Sequence, residues 1–443
     1  DAMESRGLGD VYKRQTLQFN RVFSMFTILC LTFVFVRANQ ALLPANCVVI
    51  LFFFMLNAPY LRWSYPLFNR YFFFIGAFFV ISIISTLTSE FDWKRFLLSY
   101  SLYAFPPIAG LAYYYSNIST LQFRKFLFYI TLVQIITFSI QTIIQLSKGT
   151  LAFGTDWAVG TMAVPGVTAH TAGVLISLTG IYWFQQYYKD HRKEKKYFYL
   201  SLISFFLLFL TGTTHAFFAL FGAITLYVFL KSTSKYRFLY ILLLLLLFSI
   251  YPFFSKDVVW NITGGINSLK ALAAGDLDYL LHNRALKIKA FFIGLEYLYK
   301  NPEMSFFGVG MGNFNDRATA FALFPSYGAQ IQQLLGLQPS QISLSLIGRN
   351  WVKIGSVSNS IYSDMISVII QLGLAGCAFC LVLIKKILNV FKKSATSRFV
   401  TLYISYVFFL GFFENWLQYP QVSAFISLLL FDLYRQTQQP KVI

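Results

Sequence analysis

The chain has 443 residues, 57% hydrophobic and only 12% charged, with a mean hydropathy of +0.60. A soluble domain of this length covers itself with far more charge, so the composition argues against one. The formal charge is 36 − 17 = +19; because the basic residues sit in short clusters between apolar runs, the excess reads as positive-inside bias rather than a nucleic-acid face.

Residues 1–15, DAMESRGLGDVYKRQ, do not begin with Met and resemble translated sequencing-adaptor sequence. They are expected to be a non-native leader and are set aside. Beyond them, apolar spans are expected at about 21–37, 43–59, 71–89, 97–115, 126–146, 165–185, 198–212, 214–230, 238–255, 361–384, 399–414 and 421–434. The runs are long and continuous and lack the ten-residue alternation of a barrel, so helices are expected. The predicted fold is all-α, a polytopic integral membrane helical bundle of about twelve transmembrane helices. Nine spans fall in 16–255, a large extracytoplasmic loop in 256–360, and three more spans with a cytoplasmic tail in 361–443.

Basic residues set the orientation. Arg62 and Arg70 follow the second span, and Arg124 and Lys125 the fourth. Lys189, Arg192, Lys193, Lys195 and Lys196 follow the sixth, and Lys231, Lys235 and Arg237 the eighth. Lys385, Lys386, Lys392, Lys393 and Arg398 follow the tenth, and Arg435 the twelfth. This alternation puts both ends in the cytoplasm. The loop 90–96 fits least well, because Lys94 and Arg95 stand there beside Glu90 and Asp92.

Loop 256–360 then lies on the outer face, where loops of this size carry function or helices of their own. Stretches 277–300 and 327–347 have amphipathic spacing and predict interfacial helices. The loop holds Arg284, Arg317 and Arg349, with Lys287, Lys289 and Lys353. Cations on this face oppose the general trend, and arginine forks suit phosphate or pyrophosphate, with Arg284 and Arg349 preferred. Contact with lipid headgroups is the plainer reading.

Four further features carry chemistry. Asn301-Pro302 and Gly308-Val309-Gly310-Met311-Gly312-Asn313-Phe314 form a glycine-rich turn whose amides allow close approach of a ligand. Ser358, Asn359 and Tyr362 open the tenth span, where amides and dipole favour an anion; the alternative is that Ser358 is simply the N-cap. His215, at the polar break Thr211-Gly212-Thr213-Thr214, suits phosphate binding or proton transfer, and His170 is expected to face the same cavity. Asp364 and Glu414 are acids at membrane depth, each suited to accept a proton from an attacking hydroxyl or to pair with a loop arginine. Cys30, Cys47, Cys377 and Cys380 lie in or beside apolar runs. Cys377 and Cys380 read as packing residues, so neither metal nor cofactor is expected.

Taken in order, Asn283-Arg284 before an aromatic helix, Asn301-Pro302, the Gly308–Phe314 turn, then Ser358-Asn359 with Gly373-Leu374-Ala375-Gly376 downstream resemble the O-antigen polymerase and O-antigen ligase superfamily. The resemblance covers about 200–434. It implies metal-independent transfer of a glycan from undecaprenyl diphosphate at the outer face of the bacterial cytoplasmic membrane, with Arg284 holding the departing diphosphate. The implied partners are the undecaprenyl-diphosphate-linked oligosaccharide, membrane lipids and a chain-length regulator. Ser358 stands where ligases usually carry His, which favours a polymerase over ligation to lipid A core or protein. Thr213-Thr214 stands where the family often has Ser-Arg. A flippase for lipid-linked oligosaccharide is the reading from another class.

Overall fold

The computed structural model describes residues 66–116, 118–148, 169–189, 194–211, 213–231, 286–314, 316–323, 332–345, 363–392 and 397–438, with isolated positions at 50–55, 242 and 263–276. Among them the secondary structure is helical, with no strand. The helices are α1 (Pro66–Leu87), α2 (Trp93–Ala104), α3 (Ile108–Tyr115), α4 (Thr120–Ser147), α5 (Ala169–Lys189), α6 (Lys195–Leu210), α7 (Thr214–Lys231), α8 (Leu286–Lys300), α9 (Arg317–Leu323), α10 (Asp364–Phe391), α11 (Ser397–Phe413) and α12 (Pro420–Gln438). Asn69–Leu87, Thr120–Ser147 and Asp364–Phe391 are long and apolar enough to cross a membrane, and α2 with α3 makes a fourth if the bent pair is one span. These helices mark the chain as a membrane protein. The expected first, second and ninth spans lie almost wholly outside the described residues.

Local chemistry sets the boundaries. Ser119 and Gln122 form a capping box that starts α4 earlier than the apolar run does. The expected single span 97–115 is two helices bent by 42°. Pro106 and Pro107 lie at the break, where they remove amide donors from the helix ladder. The expected helix over 327–347 is also corrected. Gly336, at φ +59°, ends one turn, and Ser340 caps another at Gln341–Ser343.

The described turns gather at two ends of the bundle. At one end Asn313 donates to the Glu90 carbonyl (2.8 Å), Gln341 N to Glu90 Oε2 (2.6 Å) and Arg95 to the Gln338 carbonyl (3.0 Å). Arg95 is 2% exposed and pairs with Glu90 at 3.3 Å and Asp92 at 3.8 Å. This local neutralisation explains why loop 90–96 fits a charge-counting rule poorly.

At the other end Arg435 donates to the Ser116 and Ile118 carbonyls, and Lys189 donates to Gln436 (3.0 Å). Here buried Asp432 accepts from Tyr113 (2.6 Å), Tyr182 (2.7 Å) and Gln436 (2.5 Å), joining α3, α5 and α12. Asp432→Ala leaves three buried donors without their acceptor. It is expected to lower stability by on the order of 3 kcal/mol. A thermal melt in detergent that matches wild type would remove this latch role.

Helix α10 is broken at Gly373 (φ +59°, ψ −153°). Its 28 residues divide into a short arm, 364–372, and a long arm, 374–391. The long arm spans about 27 Å, close to the roughly 25 Å of neighbouring α11. The helix of the expected tenth span, 361–384, therefore runs from Asp364 to Phe391 and is interrupted at Gly373.

Candidate functional site

The Gly308–Phe314 turn clasps the break in α10. A continuous helix would bond the Leu374 and Ala375 amides to the Ile370 and Gln371 carbonyls. Here Leu374 donates to the Ser305 carbonyl (3.2 Å) and Ala375 to the Phe306 carbonyl (2.9 Å). The freed Ile370 and Gln371 carbonyls accept from Val309 and Gly310, both at 3.0 Å. Ser85 adds a second donor to the Gln371 carbonyl at 2.5 Å. Two lost helical bonds are thus replaced by four, as irregular backbone in apolar surroundings requires.

This geometry corrects the expected role of the turn. Gly308 N donates to the Met304 carbonyl, Met311 N to Thr86 Oγ1, Gly312 N to Gln371 Oε1 and Asn313 N to the Gly310 carbonyl. The amides expected to meet a substrate are spent within the protein. Gly308, Gly310 and Gly312 have φ of +80°, +91° and +84°. A methyl group on Gly308 would strike the Gln371–Leu372 backbone, and one on Gly312 the Arg95 backbone. Asn313 is fully buried and donates to Val309, Ser89 and Glu90. Close backbone packing, rather than ligand approach, accounts for these glycines.

Below the clasp lies a buried polar cluster where the late loop meets the ends of α10, α11 and α12. Asp316 caps α9 by accepting from Thr319 N (2.8 Å), and its other oxygen accepts from Ser99. Arg317 N donates to Gln418 Oε1 (2.7 Å), and its guanidinium donates to Asn415 (3.3 Å). That guanidinium lies 3.4 Å from the centroid of the Tyr419 ring. Gln418 donates onward to the Tyr103 hydroxyl at 2.5 Å.

Asp364 is the first residue of α10 and is 2% exposed. Its Oδ2 accepts from Leu417 N at 2.8 Å. The Tyr103 hydroxyl also bonds to this carboxyl, and the charge of Arg317, a cation of the expected outer loop, acts on it as well. The N-cap of α10 is Ser363, which accepts from Ile366 N and donates to the Gly411 carbonyl at 2.9 Å. Ser363 therefore displaces Ser358 from the expected capping role. Glu414, at the end of α11, gives its carbonyl to Asp364 N at 3.4 Å.

His170 and His215 each stand second in their helices, α5 and α7. Their rings are 5.9 Å apart, and His215 lies 6.3 Å from Phe413. Phe413 and Gly411 share the last turn of α11, so the histidine pair and Asp364 flank the same helix end. The structure thus gathers Asp364, His170 and His215 at the end that also holds the glycine-rich turn. Arg284, Arg349, Ser358, Asn359 and Tyr362 lie outside the described residues.

Sequence reasoning passed over Gln371, Asn415, Trp416, Gln418 and Tyr419. The available signal was polar density within Asn415-Trp416-Leu417-Gln418-Tyr419, a charge-free turn between two apolar runs. No family model, curated protein or solved structure matches this chain.

Proposed function

We propose that this chain polymerises cell-surface polysaccharide at the outer face of the bacterial cytoplasmic membrane, with about twelve spans carrying the site. The acceptor hydroxyl oxygen bonds to the anomeric carbon of the donor glycan. The bond from that carbon to the phosphate oxygen breaks, and undecaprenyl diphosphate leaves with the electron pair. The hydroxyl proton passes to the Asp364 carboxylate. Arg284 holds the departing diphosphate, as the resemblance to the polymerase superfamily implies.

The observation that carries this reading is the position of the buried polar cluster. Asp316, Arg317, Asp364, Asn415 and Gln418 gather at the bundle end opposite Arg124, Lys189, Lys392 and Arg435. By the positive-inside rule this arrangement supports an outward-facing cluster. Asp364 and Asp432, the buried acids of the apolar helices described, stand near helix ends, which suits an enzyme better than a carrier with ionisable groups at mid-membrane.

The test is reconstitution of the purified protein in liposomes with undecaprenyl-diphosphate-linked repeat units. A ladder of lengthened glycans is expected without added metal or nucleotide. Asp364→Asn is expected to slow ladder growth by roughly 10²-fold or more, the range for loss of a general base. Movement of the lipid-linked substrate across the bilayer without any ladder would replace the enzyme reading with a flippase.

A further inference from the structure

We infer that the Asn415–Gln418 turn, together with the Asp364 carboxylate bonded to it, is a subsite for an uncharged sugar hydroxyl and not for the diphosphate; the assignment rests on the polymerase reading above. Among the described residues, three buried polar atoms here have no hydrogen-bond partner: Asp364 Oδ1, Asn415 Nδ2 and Trp416 Nε1; the Tyr103 hydroxyl and the Leu417 amide serve the Asp364 carboxyl without pairing this oxygen. Their residues are 2%, 1% and 1% exposed. Folded proteins leave few such atoms unpaired, and a group of them points to a polar occupant.

The chemistry of the three atoms selects that occupant. Two are donors and one is a carboxylate oxygen, and a hydroxyl both gives and accepts a hydrogen bond. A phosphate brings acceptors and negative charge, which the Asp364 carboxylate would repel at short range. Arg317, the buried cation beside the turn, stacks on Tyr419 and donates to Asn415; the separate titration of undecaprenyl diphosphate below tests whether its charge admits an anion. The Trp416 ring, which carries one of the two donors, packs 5.0 Å from the Tyr419 ring.

Two substitutions separate hydrogen bonding from folding. Trp416→Phe keeps an aromatic ring and removes the N–H. Asn415→Asp keeps the oxygen that pairs with Arg317 and removes the donor. The probe is oligosaccharide released by mild acid from the host's own lipid-linked pool, titrated into purified full-length protein in detergent. Undecaprenyl diphosphate is titrated separately. Each variant is expected to bind the oligosaccharide about tenfold more weakly, the loss equivalent to one hydrogen bond. Its melting temperature and its affinity for undecaprenyl diphosphate are expected to stay near wild type.

A selective loss in either variant supports the subsite. Wild-type oligosaccharide affinity in both variants overturns it and leaves ordered water as the occupant. An equal loss of undecaprenyl diphosphate binding also overturns it, since the turn would then serve the anion. Failure of the polymerase reading shows up differently: liposomes would form no ladder even though wild-type protein bound the oligosaccharide.

Discussion

Gly373→Ala is expected to cost about 4 kcal/mol or more and to remove polymer formation. Two effects add. The backbone at φ +59°, ψ −153° lies in a region that essentially only glycine occupies, which alone costs about 1–3 kcal/mol. In addition, a Cβ at this position would sit 2.7 Å from Gly308 N and from the Ser305 and Phe306 carbonyl oxygens. Those atoms are backbone and cannot turn aside. Relief requires the clasp to open, which exposes the four backbone hydrogen bonds across the break. Gly76→Ala is the control, because its Cβ would meet nothing within 4 Å in the interior of α1. That change is expected to be neutral or to stabilise by up to about 1 kcal/mol. The measurement is the thermal melt of each purified variant in detergent. Equal melting temperatures for the two variants would mean that the clasp contributes nothing.

The same residue marks where a sequence reading stops. Hydropathy locates the apolar run that contains α10, since each residue contributes independently of its partners. It does not locate the break, because Gly373 adopts its conformation only when the Gly308–Phe314 turn, some sixty residues earlier, bonds to the exposed backbone. The turn itself is legible as three alternating glycines. Its purpose is not, since glycines that admit a ligand and glycines that admit a neighbouring backbone look alike in one dimension. Pro106-Pro107 is the opposite case: the proline pair carries its own steric consequence, and a helix break was readable there without tertiary information.

For the site, charge alone was a partial guide. Asp364 stood out because an acid in an apolar run demands a partner. That the partners include the Leu417 amide follows from the fold, since backbone amides are present at every position and carry no sequence signature. Arg317 was visible among the loop cations, yet nothing local distinguished it from the others. What distinguishes it is burial against Tyr419, a contact made across about a hundred residues of sequence. Asn415 and Gln418 are uncharged, so a reading weighted toward charge passed over them.

Arg317→Lys is the second large expected effect, and it separates charge from shape. Lysine keeps the positive charge near Asp364 and the turn. It lacks the planar fork that stacks on Tyr419 while donating to Asn415. A desolvated cation–π contact contributes about 2 kcal/mol, and a hydrogen bond from a charged donor about 1.5–3 kcal/mol. Lysine retains only part of either, so a stability loss on the order of 2 kcal/mol is expected. Polymer formation is expected to fall further than this loss of folded protein explains, because Arg317 is a positioning residue for the Asn415–Gln418 turn. Comparing ladder growth per folded molecule with the melting temperature separates the two effects. Ladder growth that falls only as far as the folded fraction would reduce Arg317 to a packing residue. Wild-type behaviour of the lysine variant in both measurements would mean that positive charge suffices and the stacked guanidinium geometry is incidental.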